Sequence, residues 1–320
     1  MISSKAEDIL YTITMNRVSN TCIITLAISV LYLLLIYQFS VLGPEHYITL
    51  IIYNFFIWIS SQTRRFMLAL AVFVVFAMLY DIMKMFPNYL FNEVDISQIY
   101  FHEKRLFGFV NEGVAVIPNE YFSVNHTVSL DILSAFFYLN WMPVPIAFGI
   151  YLYFKNKALY LDFALTFLLV NILGFIGYYL YPAAPPWYVD LYGFEFKAGI
   201  PGNTAGFERF DELLGIPVFG SLYARNSNVF AAVPSLHCAY PVVVLYYGLV
   251  ARVGKVIWLL VLFMTGIWFA AVYSSHHYVI DVILGVACAA SGIIIYRSLL
   301  VKLPWFKMFL NIYIKAISKA

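Results

Sequence analysis

Residues 256–275 read VIWLLVLFMTGIWFAAVYSS, and residues 278–299 read YVIDVILGVACAASGIIIYRSL. The first stretch has no charged side chain, and the second has only Asp281 and Arg297, one near each end. A helix of about 20 apolar residues is long enough to cross a lipid bilayer. These two stretches therefore predict two neighbouring membrane-spanning helices joined by a short turn.

The composition of the whole chain agrees with a membrane protein. The 320 residues are 63% apolar and 11% charged, with a net charge of +2. A soluble domain carries about 25% charged residues, and a water-soluble globule cannot bury so much apolar surface. The composition excludes a disordered chain and a nucleic-acid-binding protein with a basic face. Cys22, Cys238 and Cys288 lie in apolar stretches and show no disulfide or metal-ligand spacing.

Similar apolar runs recur along the chain and predict an all-α, polytopic membrane helix bundle that forms a single domain over residues 1–320. The run at 46–60 is short, so an interfacial helix is the alternative there. We expect about eight spans, at residues 21–40, 46–60, 66–86, 128–152, 159–181, 233–251, 256–275 and 278–299.

The basic residues orient these spans. With a cytoplasmic N-terminus, 13 of the 19 Lys and Arg residues fall on the cytoplasmic side, as the positive-inside rule requires. The long, aromatic-rich connections 87–127 and 182–232 then lie on the outer side. Loops of this length usually have a function, so we expect interfacial segments and the chemistry there.

Ionisable residues at membrane depth are costly and mark functional sites. Asp81 and Lys84 are three residues apart on one predicted helix and can simply pair with each other. Pro234 suits the first turn of the helix that follows it, whose N–H groups can bind an anion. His237 lies on that same turn, where it can reach a bound phosphate; a histidine at an interfacial helix end is the structural alternative.

The second motif reads HHYVID over residues 276–281. His277 and Asp281 are four residues apart and share one helix face, whereas His276 is rotated away by about 100°. A carboxylate that binds one imidazole nitrogen leaves the other free as a nucleophile or base. The alternative is an interfacial histidine pair beside a capping aspartate.

The third motif, YPAAPPWY at 181–188, follows the fifth predicted span. Its prolines end the helix, and Trp187 and Tyr188 are predicted to lie at headgroup level. Two histidines, one with an aspartate, suit phosphoryl transfer through a phosphohistidine. Serine hydrolysis is disfavoured because no Asp lies near Ser235 and His237. A zinc site is disfavoured because the third ligand is absent.

The sequences PSLH at 234–237 and H-x-x-x-D at 277–281 resemble the second and third signature motifs of the type 2 phosphatidate phosphatase superfamily. With APPWY at 184–188, they are similar to its inositol phosphorylceramide synthase branch. The resemblance covers a catalytic core of about 80–300. The chain lacks the Arg-Pro dipeptide of the first motif, and it has Ala271 and Leu236 where phosphatases usually have Arg and Gly.

The resemblance implies an enzyme of sphingolipid biosynthesis, a transferase that uses no metal or cofactor. It would move a phosphoinositol-type headgroup from a phosphatidylinositol-like phospholipid to a ceramide hydroxyl. His277 would attack the phosphate, Asp281 would orient His277, and His237 would act as acid and then base. The first candidate for the phosphate-binding cation is Arg225, with Arg209 and Lys197 in reserve. The other candidate substrate-binding residues are Ser235, Pro186, Trp187 and Tyr188.

Two other functions remain open on these residues. One is a membrane lipid phosphatase acting on phosphatidylglycerol phosphate or a polyprenyl diphosphate, which release of inorganic phosphate would reveal. The other is a non-enzymatic transporter or assembly subunit. The compact length favours a bacterial inner membrane, with the active site on its outer face. Protein partners are not predicted.

The orientation can be tested with reporter fusions. A reporter fused at Lys155 is expected on the cytoplasmic side and one fused at Gly199 on the outer side, because the basic residues are distributed so unevenly. The measurement is the compartment-specific activity of each fusion. Signals from the same side would show that the predicted spans are wrong.

Overall fold

The computed structural model describes residues 2–39, 42–224 and 228–318. Most of these residues are helical, and β1 (Phe109–Asn111) and β2 (Val114–Val116) pair as an antiparallel hairpin. The helices are α1 (Ile2–Gln38), α2 (Pro44–Ile59), α3 (Ser61–Met85), α4 (Ser97–Phe107), α5 (Pro118–Val124), α6 (Val128–Leu139), α7 (Pro143–Lys155), α8 (Lys157–Leu180), α9 (Pro186–Tyr192), α10 (Glu208–Leu214), α11 (Val218–Tyr223), α12 (Leu236–Val250), α13 (Val256–Tyr273), α14 (Val279–Ser298) and α15 (Pro304–Ile317).

Each of the eight predicted segments coincides with helical structure, and the all-α membrane fold is confirmed. Five helices are long and apolar enough to span a membrane: Asn20–Gln38, Ser61–Met85, Lys157–Leu180, Val256–Tyr273 and Val279–Lys302. The bent pair α6 and α7 makes up to six. Helix α12 is apolar but shorter, with 15 residues. Helix α2 has 16 residues, and its crossing of the membrane stays a prediction.

The span predicted over 128–152 is broken in two. Helices α6 and α7 meet at an angle of 41°. Pro143 is the first residue of α7, and a proline lacks the N–H group that would continue the α6 hydrogen-bond ladder. The Asn140 side chain donates to the carbonyl oxygen of Phe136 at 2.8 Å and so satisfies one of the last carbonyl groups of α6.

The described chain separates into two compact units. One holds α1 to α3, and the other runs over Phe86–Ile314. The predicted catalytic core, residues 80–300, overlaps the second unit, which also contains every predicted site residue that the structure describes. The role of that core in catalysis stays a prediction.

In the first unit a partly buried polar cluster links the three helices. Asp81 accepts hydrogen bonds from Lys84 at 2.9 Å and from the Tyr32 hydroxyl at 2.6 Å, and its Oδ2 lies 3.4 Å from Nε2 of His46. The predicted pairing of Asp81 with Lys84 is confirmed. Tyr32 and His46 extend this pair, since an isolated charge is costly in an apolar environment.

In the second unit α12 packs against α7, α8, α13 and α14. Its contact with α14 is close because Gly285 lies on the facing side of α14. A Cβ atom on Gly285 would overlap the carbonyl oxygen of Ser235. The absence of a side chain therefore lets the N-terminal part of α12 approach α14 directly.

The two long connections predicted to lie on the outer side, called here the first and second outer connections, are folded rather than open loops. The first contains α4, the β-hairpin and α5, and the second contains α9, α10 and α11. Backbone hydrogen bonds join the two connections: Asp95 donates to the carbonyl of Pro182 at 2.8 Å, and Ala184 donates to that of Asp95 at 2.9 Å. The connections therefore form one covering layer over the ends of the bundle helices.

We expect Gly285→Ala to lower the free energy of unfolding by about 1–3 kcal/mol, the usual cost of overpacking. Alanine favours a helix over glycine by about 1 kcal/mol, so a loss would come from the overlap with Ser235. The measurement is thermal unfolding in detergent. The control is Leu284→Ala on the exposed face of the same helix. If Gly285→Ala were more stable to heat than the unsubstituted protein, the close α12–α14 contact would be contradicted.

Candidate active site

The first predicted motif forms the start of α12. The Ser235 hydroxyl caps the helix by accepting a hydrogen bond from the backbone N–H of Cys238 at 3.4 Å. The backbone N–H of Ser235 donates to the carbonyl oxygen of Asp281 at 3.1 Å. These two bonds hold His237 in the first turn of α12, next to the start of α14.

The second motif occupies the turn between α13 and α14. The backbone N–H groups of His276 and His277 both donate to the carbonyl oxygen of Ala271, at 3.1 and 3.0 Å. Asp281 is the third residue of α14, and its Oδ2 accepts the backbone N–H of Tyr278 at 2.9 Å. Hydrogen bonds therefore fix the turn to the helix on each side of it.

The side chains of His237, His277 and Asp281 form one line of contacts. Nε2 of His277 lies 3.4 Å from Nδ1 of His237, and Nδ1 of His277 lies 3.3 Å from Oδ2 of Asp281. The Asp281 side chain is fully buried and that of His277 is 7% exposed. Nδ1 of His276 lies instead 3.0 Å from the hydroxyl of Ser274. The structure thus brings together the three residues predicted to be catalytic.

This arrangement prepares His277 for nucleophilic chemistry. Burial lowers the pKa of His277 to about 4, which favours the neutral imidazole. When Asp281 accepts the Nδ1 proton, the lone pair of that ring is on Nε2, which points to His237. A neutral imidazole held in one tautomer beside a second imidazole is suited to attack on one side and proton transfer on the other.

Aromatic residues that the sequence did not indicate surround His237. The hydroxyl of Tyr138, a fully buried residue of α6, lies 3.2 Å from Nδ1 of His237. The Tyr223 hydroxyl donates to that of Tyr138 at 3.4 Å. The Trp141 ring meets the His237 ring edge-on, with 4.6 Å between centroids. No local pattern marks Tyr138, because it lies 99 residues from His237 in the sequence.

Asn119 of α5 also contacts the histidine turn. Its Nδ2 donates to the carbonyl oxygens of Val272 at 2.8 Å and of His277 at 3.0 Å. The side chain is 1% exposed. The first outer connection therefore helps to fix the backbone on which the His277 imidazole is mounted.

Ser235, a predicted substrate-binding residue, uses its hydroxyl oxygen to cap α12 and is fully buried. Pro186 is the first residue of α9, and the backbone N–H of Trp187 donates to the carbonyl oxygen of Ser275 at 3.0 Å. The proline-rich segment thus folds back onto the turn that precedes His277.

Two aromatic residues of this segment are buried in the protein, and their predicted position at headgroup level stays a prediction. Trp187 is 5% exposed and Tyr188 is fully buried. The Tyr188 hydroxyl donates to the carbonyl of Glu195 at 2.6 Å, and its ring packs on those of Phe230 and Tyr192. The hydrogen bond from Trp187 to the histidine turn draws α9 inward. Both side chains therefore pack inside the covering layer, and their binding of substrate stays a prediction.

Of the candidate cations, Arg225 lies outside the described residues. Nε of Arg209 donates to Oδ1 of Asp131 at 2.8 Å, and the Tyr273 hydroxyl donates to the same oxygen at 2.8 Å. Nζ of Lys197 lies 4.8 Å from the ring centroid of Tyr192. Asp131 thus offsets the charge of Arg209, and Lys197 lies against an aromatic face.

A cavity of about 290 Å³ lies beside the histidine turn. Its polar lining includes Ser275, Arg209, Asp190 and Asn203, and Trp187 contributes an aromatic wall. Within residues 2–39, 42–224 and 228–318, no group of three or more His, Cys, Asp or Glu side chains is arranged to hold a metal ion.

Sequence comparisons with known proteins identify the family. A sequence profile of the PAP2 superfamily matches residues 115–295, which contain both histidines and Asp281. A phosphoinositol dihydroceramide synthase of Bacteroides thetaiotaomicron is 46% identical over 293 residues, which cover 90% of this chain and 95% of that protein. No solved structure matches the chain.

Fungal relatives match a shorter part. The inositol phosphorylceramide synthase of Candida albicans is 34% identical over 146 residues, covering 45% of this chain and 30% of that protein. The inositol phosphorylceramide synthase catalytic subunit of Saccharomyces cerevisiae is 32% identical over 119 residues, covering 36% of this chain and 29% of that protein. Because the superfamily profile covers more than half of the chain and the bacterial relative aligns along nearly all of it, the chain belongs to the PAP2 superfamily.

Proposed function

We propose that this protein is a lipid phosphotransferase that moves a phosphoinositol headgroup from a glycerophospholipid to the hydroxyl of a ceramide or dihydroceramide. The contact line of His237, His277 and Asp281, with gaps of 3.4 and 3.3 Å, is the observation that carries the chemistry. The substrate class follows the names of the bacterial and fungal relatives. We place the reaction at the outer face of a bacterial inner membrane.

The first half-reaction breaks the bond between phosphorus and the diacylglycerol oxygen. Nε2 of His277 attacks the phosphorus. The proton stays on Nδ1 of His277, and the Asp281 carboxylate accepts its hydrogen bond and stabilises the imidazolium that forms. Protonated His237 donates its proton to the departing oxygen. The products are diacylglycerol and a phosphoinositol group bound to His277.

The second half-reaction restores the enzyme. Neutral His237 removes the proton from the ceramide hydroxyl, and the resulting oxygen attacks the phosphorus. The bond between phosphorus and Nε2 of His277 breaks, which leaves His277 neutral and His237 protonated, as at the start. One proton and one phosphoinositol group have then moved, with no net change in the protein.

The cavity beside the histidine turn suits the inositol ring. Inositol hydroxyls need hydrogen-bond partners, and Asp190, Asn203, Arg209 and Ser275 supply donors and acceptors on its walls. Nη2 of Arg209 is buried and has no hydrogen-bond partner within the described part of the protein. A phosphoinositol hydroxyl can meet that unused donor.

The proposed function is tested with purified enzyme, phosphatidylinositol and labelled dihydroceramide. We expect labelled inositol phosphorylceramide and an equal amount of diacylglycerol, with no inorganic phosphate and no change in rate on addition of a chelator. His277→Ala is expected to abolish donor cleavage, since no nucleophile remains. His237→Ala is expected to lose nearly all turnover, because an unprotonated alkoxide is a poor leaving group.

Asp281→Asn should retain more activity than either histidine variant, because the imidazole keeps its position and loses only its tautomer control. Ping-pong kinetics and an acid-labile phosphoenzyme are expected for the unsubstituted enzyme. Release of inositol phosphate in place of transfer would show that water discharges the intermediate. Release of inorganic phosphate from phosphatidylglycerol phosphate or a polyprenyl diphosphate would identify a lipid phosphatase. Turnover by His277→Ala without a trapped phosphoenzyme would contradict the covalent mechanism.

Arg225 remains the first candidate for offsetting the phosphate charge, because Ala271 occupies the position of the superfamily arginine and Asp131 already binds Arg209. Arg225→Ala is expected to lower kcat by roughly 10²-fold, as for loss of a group that stabilises developing charge. The measurement is initial rate against donor concentration, with Arg105→Ala, a change at an exposed residue of α4, as the control. An unchanged rate would transfer this role to Arg209 or Lys197.

A further inference from the structure

A buried carboxylate from the first outer connection contacts the start of α14. Glu103 of α4 is fully buried. Its Oε1 accepts the backbone N–H of Val279 at 3.0 Å, and its Oε2 accepts that of Ile280 at 3.1 Å. These are the first two residues of the helix that carries Asp281. Glu103 therefore caps this helix from a segment 176 residues earlier in the chain.

The burial of Glu103 calls for an explanation, since glutamate is rarely fully buried unless it is paired. Within the described residues it has no Lys, Arg or His partner in an ion pair. The two N–H groups and the positive end of the α14 dipole supply the compensation. Burial raises the pKa of Glu103 to about 7, while the bonds from Val279 and Ile280 act in the opposite direction.

The cap matters for the orientation of Asp281. An aspartate at the third helical position can turn back and bind the free N–H groups of its own first turn. Here Glu103 occupies the N–H groups of Val279 and Ile280. Oδ2 of Asp281 bonds the Tyr278 N–H and faces Nδ1 of His277.

We propose that Glu103 is a positioning residue that caps α14 and thereby keeps the Asp281 carboxylate directed at His277. The effect on catalysis rests on the proposed function, in which Asp281 controls the tautomer of His277. The effect on the Asp281–His277 contact does not depend on which lipid is the substrate. Glu103 itself does not touch the reacting atoms.

The chain offers a matched control in Glu120. Its Oε2 accepts the backbone N–H of Ile117 at 2.9 Å, and its Oε1 accepts the Tyr100 hydroxyl at 2.5 Å. Glu120 thus caps α5 in the same outer connection. Glu103→Gln and Glu120→Gln each replace one accepting oxygen with an NH₂ group, but only the first change is made at the helix that carries Asp281.

The experiment measures the tautomer of His277 and the kinetics of the full-length enzyme in detergent. Labelling with ¹⁵N-histidine gives six sites, and the loss of one signal in His277→Gln assigns His277. We expect the Nδ1–H form in the unsubstituted enzyme and in Glu120→Gln. In Glu103→Gln we expect loss of that form, with kcat lower by roughly 10- to 100-fold and KM nearly unchanged.

If Glu103→Gln does not fold, a second variant tests the same contact by a change in α14. Val279→Pro removes one N–H donor to Glu103, and proline is well tolerated at the first helical position. Tyr278 already has the extended backbone that precedes a proline, with φ −71° and ψ 162°. We expect a several-fold loss of kcat and a partial loss of the Nδ1–H form.

Two results would overturn the proposal: a Glu103→Gln enzyme that keeps both the Nδ1–H form and the unsubstituted kcat, or a Glu120→Gln enzyme that loses both equally. Failure of the proposed function has a different result. The unsubstituted enzyme would then transfer no phosphoinositol. The tautomer of His277 measured in each variant would still show whether Glu103 has the proposed role.

Discussion

The candidate active site depends on the burial of one carboxylate at the start of a membrane helix. Moving an isolated charge out of water costs several kcal/mol unless hydrogen bonds replace the lost hydration. Asp281 is fully buried, and its Oδ2 has the Tyr278 N–H at 2.9 Å and Nδ1 of His277 at 3.3 Å. The main chain of the same residue accepts the N–H of Ser235, which fixes the start of α12. The hydrogen bonds to the Asp281 side chain therefore fix His277, and the hydrogen bond to its backbone carbonyl fixes the helix start that carries His237.

Much of this architecture is readable from the sequence, because it follows from local spacing. Twenty-residue apolar runs give the long helices. The four-residue spacing predicted that His277 and Asp281 meet, and they do, although His277 lies in the turn before α14 and not on a face of that helix. A proline before a helical run gives the start of α12, with His237 in its first turn. These features depend on residues within one or two turns of each other. The break after α6 at Pro143 was missed, since the apolar run continues through it.

The remaining contacts come from residues far apart in the chain, where no spacing rule applies. Tyr138 meets His237 across 99 positions, and Glu103 meets Val279 across 176. Trp187 belongs to a motif that the sequence marks, but its burial depends on a backbone hydrogen bond to Ser275. Sequence patterns therefore indicated the residues that we propose to carry the chemistry. Sequence patterns did not indicate the residues that position these side chains, because only tertiary packing brings those residues into contact.

The short distance between the two histidines constrains how a phosphate can enter. Nδ1 of His237 and Nε2 of His277 are 3.4 Å apart, whereas a reacting phosphorus needs to approach within about 3–3.5 Å of the nucleophile on a clear path. In the proposed mechanism one imidazole must then move aside as the lipid binds. His277 is fixed by Asp281 and by Asn119 on its carbonyl. His237 is half-buried and has the Tyr138 hydroxyl as a side-chain partner. The rotation therefore belongs to His237, which carries the proton, while the nucleophile stays in place.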